Sequence, residues 1–201
     1  MAKKDKIINY EYFHWGPFLY KTTLGSEELK AINKLCNKKN SNDNRKNLAG
    51  LIRHEYKIKP SDLFKTIGPY FHSYAKAYTE TRKAFLANKI ELVASWVNYM
   101  TKFEFNPVHS HDGDLSFVIY TQVPEELKKE INKTVSNGEY PGAINFIYDL
   151  NNSKMLLNQH TFIPVVGDFF IFPANLHHFV NPFKCDGERI SVSGNLKFIN
   201  T

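Results

Sequence analysis

From about residue 90 onward the chain is a series of short β-branched and aromatic runs: ELVASWVNYMTKFEF, DLSFVIYTQV, GAINFIYDL, LLNQHTFIPV, GDFFIFP, HHFVNPF and RISVSGNLKFI. Gly, Pro, Asn and Asp bound these runs, which therefore read as strands separated by turns. Seven of them at short intervals predict antiparallel strands folded back on one another as a sandwich or jelly roll. Composition agrees, because 16 Phe and 11 Tyr among 201 residues supply rings that pack well on a pleated surface.

The first third has a different texture. In GSEELKAINKLCNK, Ser26 stands as a helix N-cap, Glu27 and Glu28 fill the first turn, and Leu29, Ile32 and Leu35 recur at helical spacing. Pro60 followed by Ser61 and Asp62 opens a second helix, with Leu63, Ile67, Phe71, Tyr74 and Tyr78 as its buried stripe. Gly68-Pro69 inside that stripe predicts a kink or a break. The expected organisation is one domain, 1–201, with a helical flank over 1–88 and a mostly β core of antiparallel jelly-roll strands over 90–198. Between the second and third runs, PEELKKEINKTVSNGEYPG is a polar, partly helical insert, long for a hairpin and suited to a mobile lid.

Several classes drop out. No apolar run approaches the roughly 20 residues of a membrane helix, and MAKKDKIINYEYFHWG lacks the apolar core of a signal peptide. Cys36 and Cys185 form neither a framework nor a C-x-x-C pair, so free thiols in a reducing cytoplasm are expected. The net charge of +6 is spread over scattered lysines, and its densest cluster, NKKNSNDNRKN, is rich in Asn and Ser and reads as a solvated loop. Charge identifies no partner here.

Two stretches carry chemistry. NPVHSHDGDLSFVIY (106–120) sets His109 and His111 one residue apart, and in an extended chain such residues face the same way and can share a cation. Alone, the pair also fits surface or core histidines, and Asp112 and Asp114 around Gly113 also fit an ordinary turn. The second stretch, GDFFIFPANLHHFVNPFKCDGERISVSGN (167–195), has a strand, a turn closed by Pro173, then His177, and His178 opening an H-x-V-x-P pattern. Arg189 begins a further strand in which Ser191 and Ser193 alternate. Arg189 and Ser191 on one face would make a carboxylate pocket; alternatively Arg189 pairs with Glu188 or Asp186 at a strand end.

Together these elements resemble the 2-oxoglutarate/Fe(II)-dependent oxygenases over roughly 90–198, and specifically their prolyl-hydroxylase-like phage and bacterial H-x-H branch. NLAGLIRHEYKI is similar to the helical leader of phage-encoded members. The resemblance implies a cupin-like double-stranded β-helix, Fe(II) held by His109, His111 and His178, and 2-oxoglutarate whose far carboxylate meets Arg189 and Ser191. It further implies that Asn98 and Tyr99 touch the cosubstrate, and that a C–H bond is hydroxylated as 2-oxoglutarate is decarboxylated to succinate. One departure is plain: His111 stands where the usual ligand set has a carboxylate. Either three histidines hold the iron, or Asp114 (or Asp112) folds in past Gly113, or His109 and His178 act with water. In the three-histidine case Asp114 is expected to accept a hydrogen bond from a ligand imidazole. The H-x-V-x-P frame selects His178 over His177, and His160 is expected to be structural.

The resemblance implies a protein side chain or a small molecule as substrate, in the cytoplasm, and in a host cell if the chain is phage-encoded. Nucleic-acid demethylases of the superfamily carry a second arginine shortly after the first; RISVSGNLKF offers only Lys197, so nucleic acid is not expected. Two rival readings stand beside this one. A cupin-like metalloenzyme without oxoglutarate leaves Arg189 and Ser191 unexplained, and a non-catalytic jelly-roll binding or structural module of a phage explains neither set.

Overall fold

A computed structural model describes residues 8–14, 16–38, 42–133, 140–148 and 158–199. In chain order it contains β1 (Tyr10–His14), β2 (Phe18–Thr23), α1 (Ser26–Leu35), a 3-10 turn (Arg45–Asn47), β3 (His54–Lys57), α2 (Pro60–Arg82), β4 (Lys89–Met100) and β5 (Asn106–His109). There follow β6 (Leu115–Gln122), α3 (Glu125–Lys133), β7 (Ile144–Ile147), β8 (Gln159–Phe162), β9 (Asp168–Pro173), β10 (His177–Val180) and β11 (Arg189–Ile199). Each of the seven runs from residue 90 onward contains a strand.

The strands form two sheets, one of seven in the order β1-β2-β9-β6-β11-β4-β3 and one of four in the order β5-β10-β7-β8, with every pair antiparallel. Alternation along each strand gives the large sheet two buried faces. One face meets the helices: Phe117, Phe169, Ile171 and Val97 pack with Leu63, Ile67, Phe71 and Tyr74 of α2. The other meets the small sheet: Val118, Tyr120, Phe170 and Phe172 pack with Ile144, Phe146 and Val180. Three layers result, and a cavity opens between the two sheets.

The flank departs from the all-helical expectation. β1, β2 and β3 join the large sheet, β2 against β9 (Tyr20↔Ile171) and β3 against β4 (Glu55↔Asn98). Without them β9 and β4 would be open edges, and β2 buries Phe18, Leu19 and Tyr20 in taking that place. In α1, Ser26 is the first helical residue and Gly25 holds the cap position, with no side-chain cap bond. α2 runs unbroken through Pro69. Pro69 and Lys65 both lie on the exposed side, so the carbonyl left without an N–H partner faces water.

The helical half of the insert is anchored rather than hinged. Leu127 of α3 is buried between the sheets, and the Glu130 carboxylate accepts hydrogen bonds from the Lys184 and Cys185 N–H groups at 3.0 and 2.8 Å. The rest of the insert, 134–139, lies outside the described residues. Cys36 and Cys185 are both free thiols. No helix among the described residues is long and apolar enough to cross a membrane.

Candidate metal and cosubstrate site

Strand period two builds the cavity wall. Arg189, Ser191, Ser193 and Asn195 share one face of β11 and all line a cavity of about 570 Å³. Ser191 sits between Asn98 of β4 and Tyr120 of β6, and Asn98 lies opposite Glu55 of β3. A polar row, Glu55–Asn98–Ser191–Tyr120, therefore crosses four neighbouring strands, and each of its members lines the cavity.

The histidines come from the facing sheet. Register places His178 of β10 directly against His109 at the end of β5. His111 lies beyond that strand end, on the connection to β6, where its backbone N–H donates to the Ala174 carbonyl at 2.9 Å. The three rings converge, with centroids 4.2 Å apart for His109–His178, 4.9 Å for His109–His111 and 5.0 Å for His111–His178. One ring nitrogen of each lies within 4.8 Å of the others.

His109 Nδ1 and His178 Nδ1 lie 2.7 and 2.9 Å from the carbonyls of Pro107 and Leu176. A carbonyl only accepts, so each Nδ1 carries the proton and each Nε2 keeps its lone pair. Burial lowers the pKa of all three, His178 well below the usual value and His111 to about 4. They are therefore neutral at physiological pH. Neutral, converging imidazoles, two of them oriented by carbonyls, fit a divalent transition metal.

The other sequence candidates separate cleanly. Asp114 is turned away: its carboxylate accepts from the Phe198 N–H at 2.7 Å, and its own N–H donates to Leu196. Gly113 causes this. At φ +104° it turns the chain onto β11, and a Cβ there would stand 2.8 Å from the Leu196 oxygen. Asp114 is thus neither in the histidine cluster nor the partner of a ligand imidazole; backbone carbonyls take that second role. Asp112 is exposed at the cavity wall and outside the cluster. His177 is exposed, and His160 packs its ring on Phe162, 4.5 Å between centroids. Tyr99 points the other way from Asn98, into the helix-side core, with the Tyr56 ring 6.0 Å away and Lys38 over its face. It does not line the cavity, whereas Asn98 does.

Arg189 forms the deep end. It is 2% exposed, its Nη1 donates to the Gly142 carbonyl at 2.6 Å, and its Nη2 lies 2.9 Å from Met100 Sδ. The guanidinium stands over the Tyr120 ring, 5.4 Å from the centroid. Neither neighbouring acid reaches it, since Glu188 pairs with Lys38 and Asp186 with Lys102. Arg189 Nε and the Tyr120 hydroxyl are buried with no partner among the described residues. Burial pushes the Tyr120 pKa up to about 12, so its O–H remains a donor. A buried cation with no carboxylate partner among the described residues, whose own Nε and the nearby Tyr120 hydroxyl lack partners there, fits an incoming carboxylate. Tyr120 escaped the sequence reading, although it is the polar end of the apolar run LSFVIY.

The fold and the histidine trio define a jelly-roll metalloprotein class. Residues 94–195, slightly more than half of the chain, match the family described as "Putative 2OG-Fe(II) oxygenase". The chain belongs to that family: it is an oxygenase that uses Fe(II) and 2-oxoglutarate. Solved structures agree on the fold. A Pseudomonas putida prolyl-4-hydroxylase is similar at 15% identity and TM-score 0.57, covering 90% of this chain and 92% of its own. The collagen prolyl hydroxylase of Paramecium bursaria chlorella virus 1, solved with 2-oxoglutarate, is similar at 14% identity and TM-score 0.54, covering 92% and 97%. HygX of Streptomyces hygroscopicus, solved with nickel and 2-oxoglutarate, is similar at 11% identity and TM-score 0.56, covering 90% and 82%. No curated protein sequence matches the chain.

Proposed function

We propose that His109, His111 and His178 hold the Fe(II), that Arg189 with Ser191 and Tyr120 takes the far carboxylate of 2-oxoglutarate, and that Asn98 lines the wall beside it. The substrate in this reading is a protein side chain or a small molecule. With both cofactors bound, the reaction consumes a C–H bond, O2 and 2-oxoglutarate and yields an alcohol, succinate and CO2. One observation carries the assignment: three metal-capable ring nitrogens and a buried arginine with no carboxylate partner among the described residues line the same cavity.

The chain's own residues bind and orient. The carbonyls of Pro107 and Leu176 fix two imidazole tautomers. Phe146 and Phe172 pack against His178, at 6.0 and 4.9 Å between centroids, and keep water from that side of the ligand. Gly142 and Met100 hold the guanidinium in place. A metalloenzyme that dispensed with oxoglutarate would leave the isolated charge of Arg189 without a use. We further propose a single folding unit over 1–201 with its core over 90–198, in which β1–β3 complete the large sheet. A cytoplasmic setting, a host cell's if the chain is phage-encoded, is proposed with support from its two free thiols.

The test is succinate formation by purified protein with Fe(II), 2-oxoglutarate and panels of peptides, amino acids, small metabolites and nucleosides. Turnover stimulated by a peptide or small molecule is expected. Stimulation confined to nucleosides would overturn the substrate class, and no Fe(II)-dependent succinate from any panel would overturn the site assignment.

A further inference from the structure

The three histidines are not held alike. His109 and His178 are each tied through Nδ1 to a carbonyl two residues back. His111 makes no ring hydrogen bond among the described residues. An untethered ligand must be ordered when metal binds, which weakens the site. Besides the other two histidines, His111 meets the Trp96 indole, 5.6 Å between centroids and tilted by 56°.

Trp96 is itself fixed from behind. With the Asn98 amide assigned in the orientation that satisfies both neighbours, the Trp96 Nε1–H donates to Asn98 Oδ1 at 3.2 Å and Asn98 Nδ2 donates to Glu55 Oε2 at 2.6 Å. The other carboxylate oxygen, Glu55 Oε1, accepts from Asn44 Nδ2 at 2.6 Å. Glu55 is 2% exposed and has no cationic partner among the described residues. Burial pushes its pKa up to about 7. A carboxylate placed at such a cost needs a role that an apolar side chain could not fill. Through Asn98 and Trp96 the hydrogen bonds run from Glu55 to the ring that meets His111. β3, which supplies Glu55, lies outside the residues that match the family.

We propose that Glu55, Asn98 and Trp96 are positioning residues for His111: a hydrogen-bonded brace from β3 that sets the indole against the one ligand lacking a carbonyl tether. The brace rests on the three-histidine metal site proposed above. In that site it stands in for the missing bond, presenting His111 at a fixed angle before metal arrives.

Cobalt(II) is the probe, because its visible bands report ligand geometry and it avoids iron's oxygen sensitivity. The chain has two tryptophans, so in a Trp15→Phe background Trp96 is the sole tryptophan, and excitation at the red edge of the indole band selects it over the tyrosines. Metal binding should quench its emission. Trp96→Phe keeps a ring beside His111 but deletes the N–H donor; it should lower cobalt affinity about tenfold and change the visible bands. Glu55→Ala should do the same. Glu55→Gln still accepts from Asn98 once the Asn44 amide turns, and should restore the parental spectrum. Circular dichroism and metal-free melting identify folded variants, and Trp96→Phe decides alone if Glu55→Ala does not fold. A folded Trp96→Phe with parental affinity and bands overturns the brace while leaving the metal site standing. So does a Glu55→Gln variant as impaired as Glu55→Ala. A parent chain that binds no cobalt overturns metal site and brace together.

Discussion

His111 and Asp114 compete for one role in the sequence, and side-chain direction separates them. His111 meets the other two rings, while the Asp114 carboxylate is spent on the Phe198 N–H. His111→Ala should therefore fail to retain iron through gel filtration. Asp114→Asn preserves an acceptor on the exposed surface, so iron content and turnover should stay within about twofold of the parent, as for surface substitutions generally. Iron loss in Asp114→Asn with retention in His111→Ala would reverse the assignment. For the cosubstrate, Arg189→Ala should weaken 2-oxoglutarate binding by roughly 2–5 kcal/mol, the range for truncating one partner of a buried charge pair. Calorimetry on the cobalt form would measure this, with cobalt affinity itself unchanged. Asn98 came with Tyr99 from the family resemblance, whereas the i, i+2 rule paired His109 with His111 and Arg189 with Ser191. It also shows why Tyr99 fails: the neighbour of an inward residue points outward.

At the scale of elements, the two faces of the large sheet do different work. α2 packs Phe71 on Phe117 and Phe169, 5.6 and 6.0 Å between ring centroids, on the face away from the cavity. Phe71→Ala should cost about 3–5 kcal/mol of stability, as aromatic truncations in cores do. Urea unfolding would measure it, and the cobalt bands of the folded fraction should not move. Bands that shift with Phe71 would mean the two faces are coupled. Local pattern made the seven core strands and α2 legible, because each carries its own periodicity and turn residues. β1, β2 and β3 were not read, because short strands at sheet edges are fixed by the partner they cover. The Glu55 brace was illegible for the same reason, since it exists only once β3 lies beside β4. Pro69 misled in the opposite direction: sequence shows the missing N–H but not that the stranded carbonyl faces water.

At the scale of the whole molecule, the cavity places ionisable groups of opposite habit between the sheets, and stability must follow pH accordingly. His109, His111 and His178 have folded pKa values below 6.5 because burial disfavours their charged forms. Below that pH the unfolded chain takes up protons that the folded chain refuses, so stability present above pH 6.5 is lost as pH falls. Glu55 has the reverse sign. Its pKa is raised from 4.5 to about 7, so its contribution is complete below pH 4.5 and is lost as pH rises through 7. Three groups oppose one below pH 6.5, and near pH 7 the two opposing slopes nearly cancel, so the metal-free melting temperature should rise with pH and level off near pH 7. Glu55→Gln removes the opposing contribution and should make the rise between pH 4.5 and 7 steeper. Bound ligands add to this by mass action. At 100 times its Kd, cobalt should stabilise the fold by about 2.7 kcal/mol. 2-Oxoglutarate should raise the melting temperature further at pH 7, and mainly when metal is already present, because in the proposed site its keto acid end would need the metal and only its far end would meet Arg189. Melting curves with each ligand alone and with both would check the order. Equal shifts from 2-oxoglutarate with and without cobalt would show that the arginine pocket and the histidine trio bind independently, against a single shared active site.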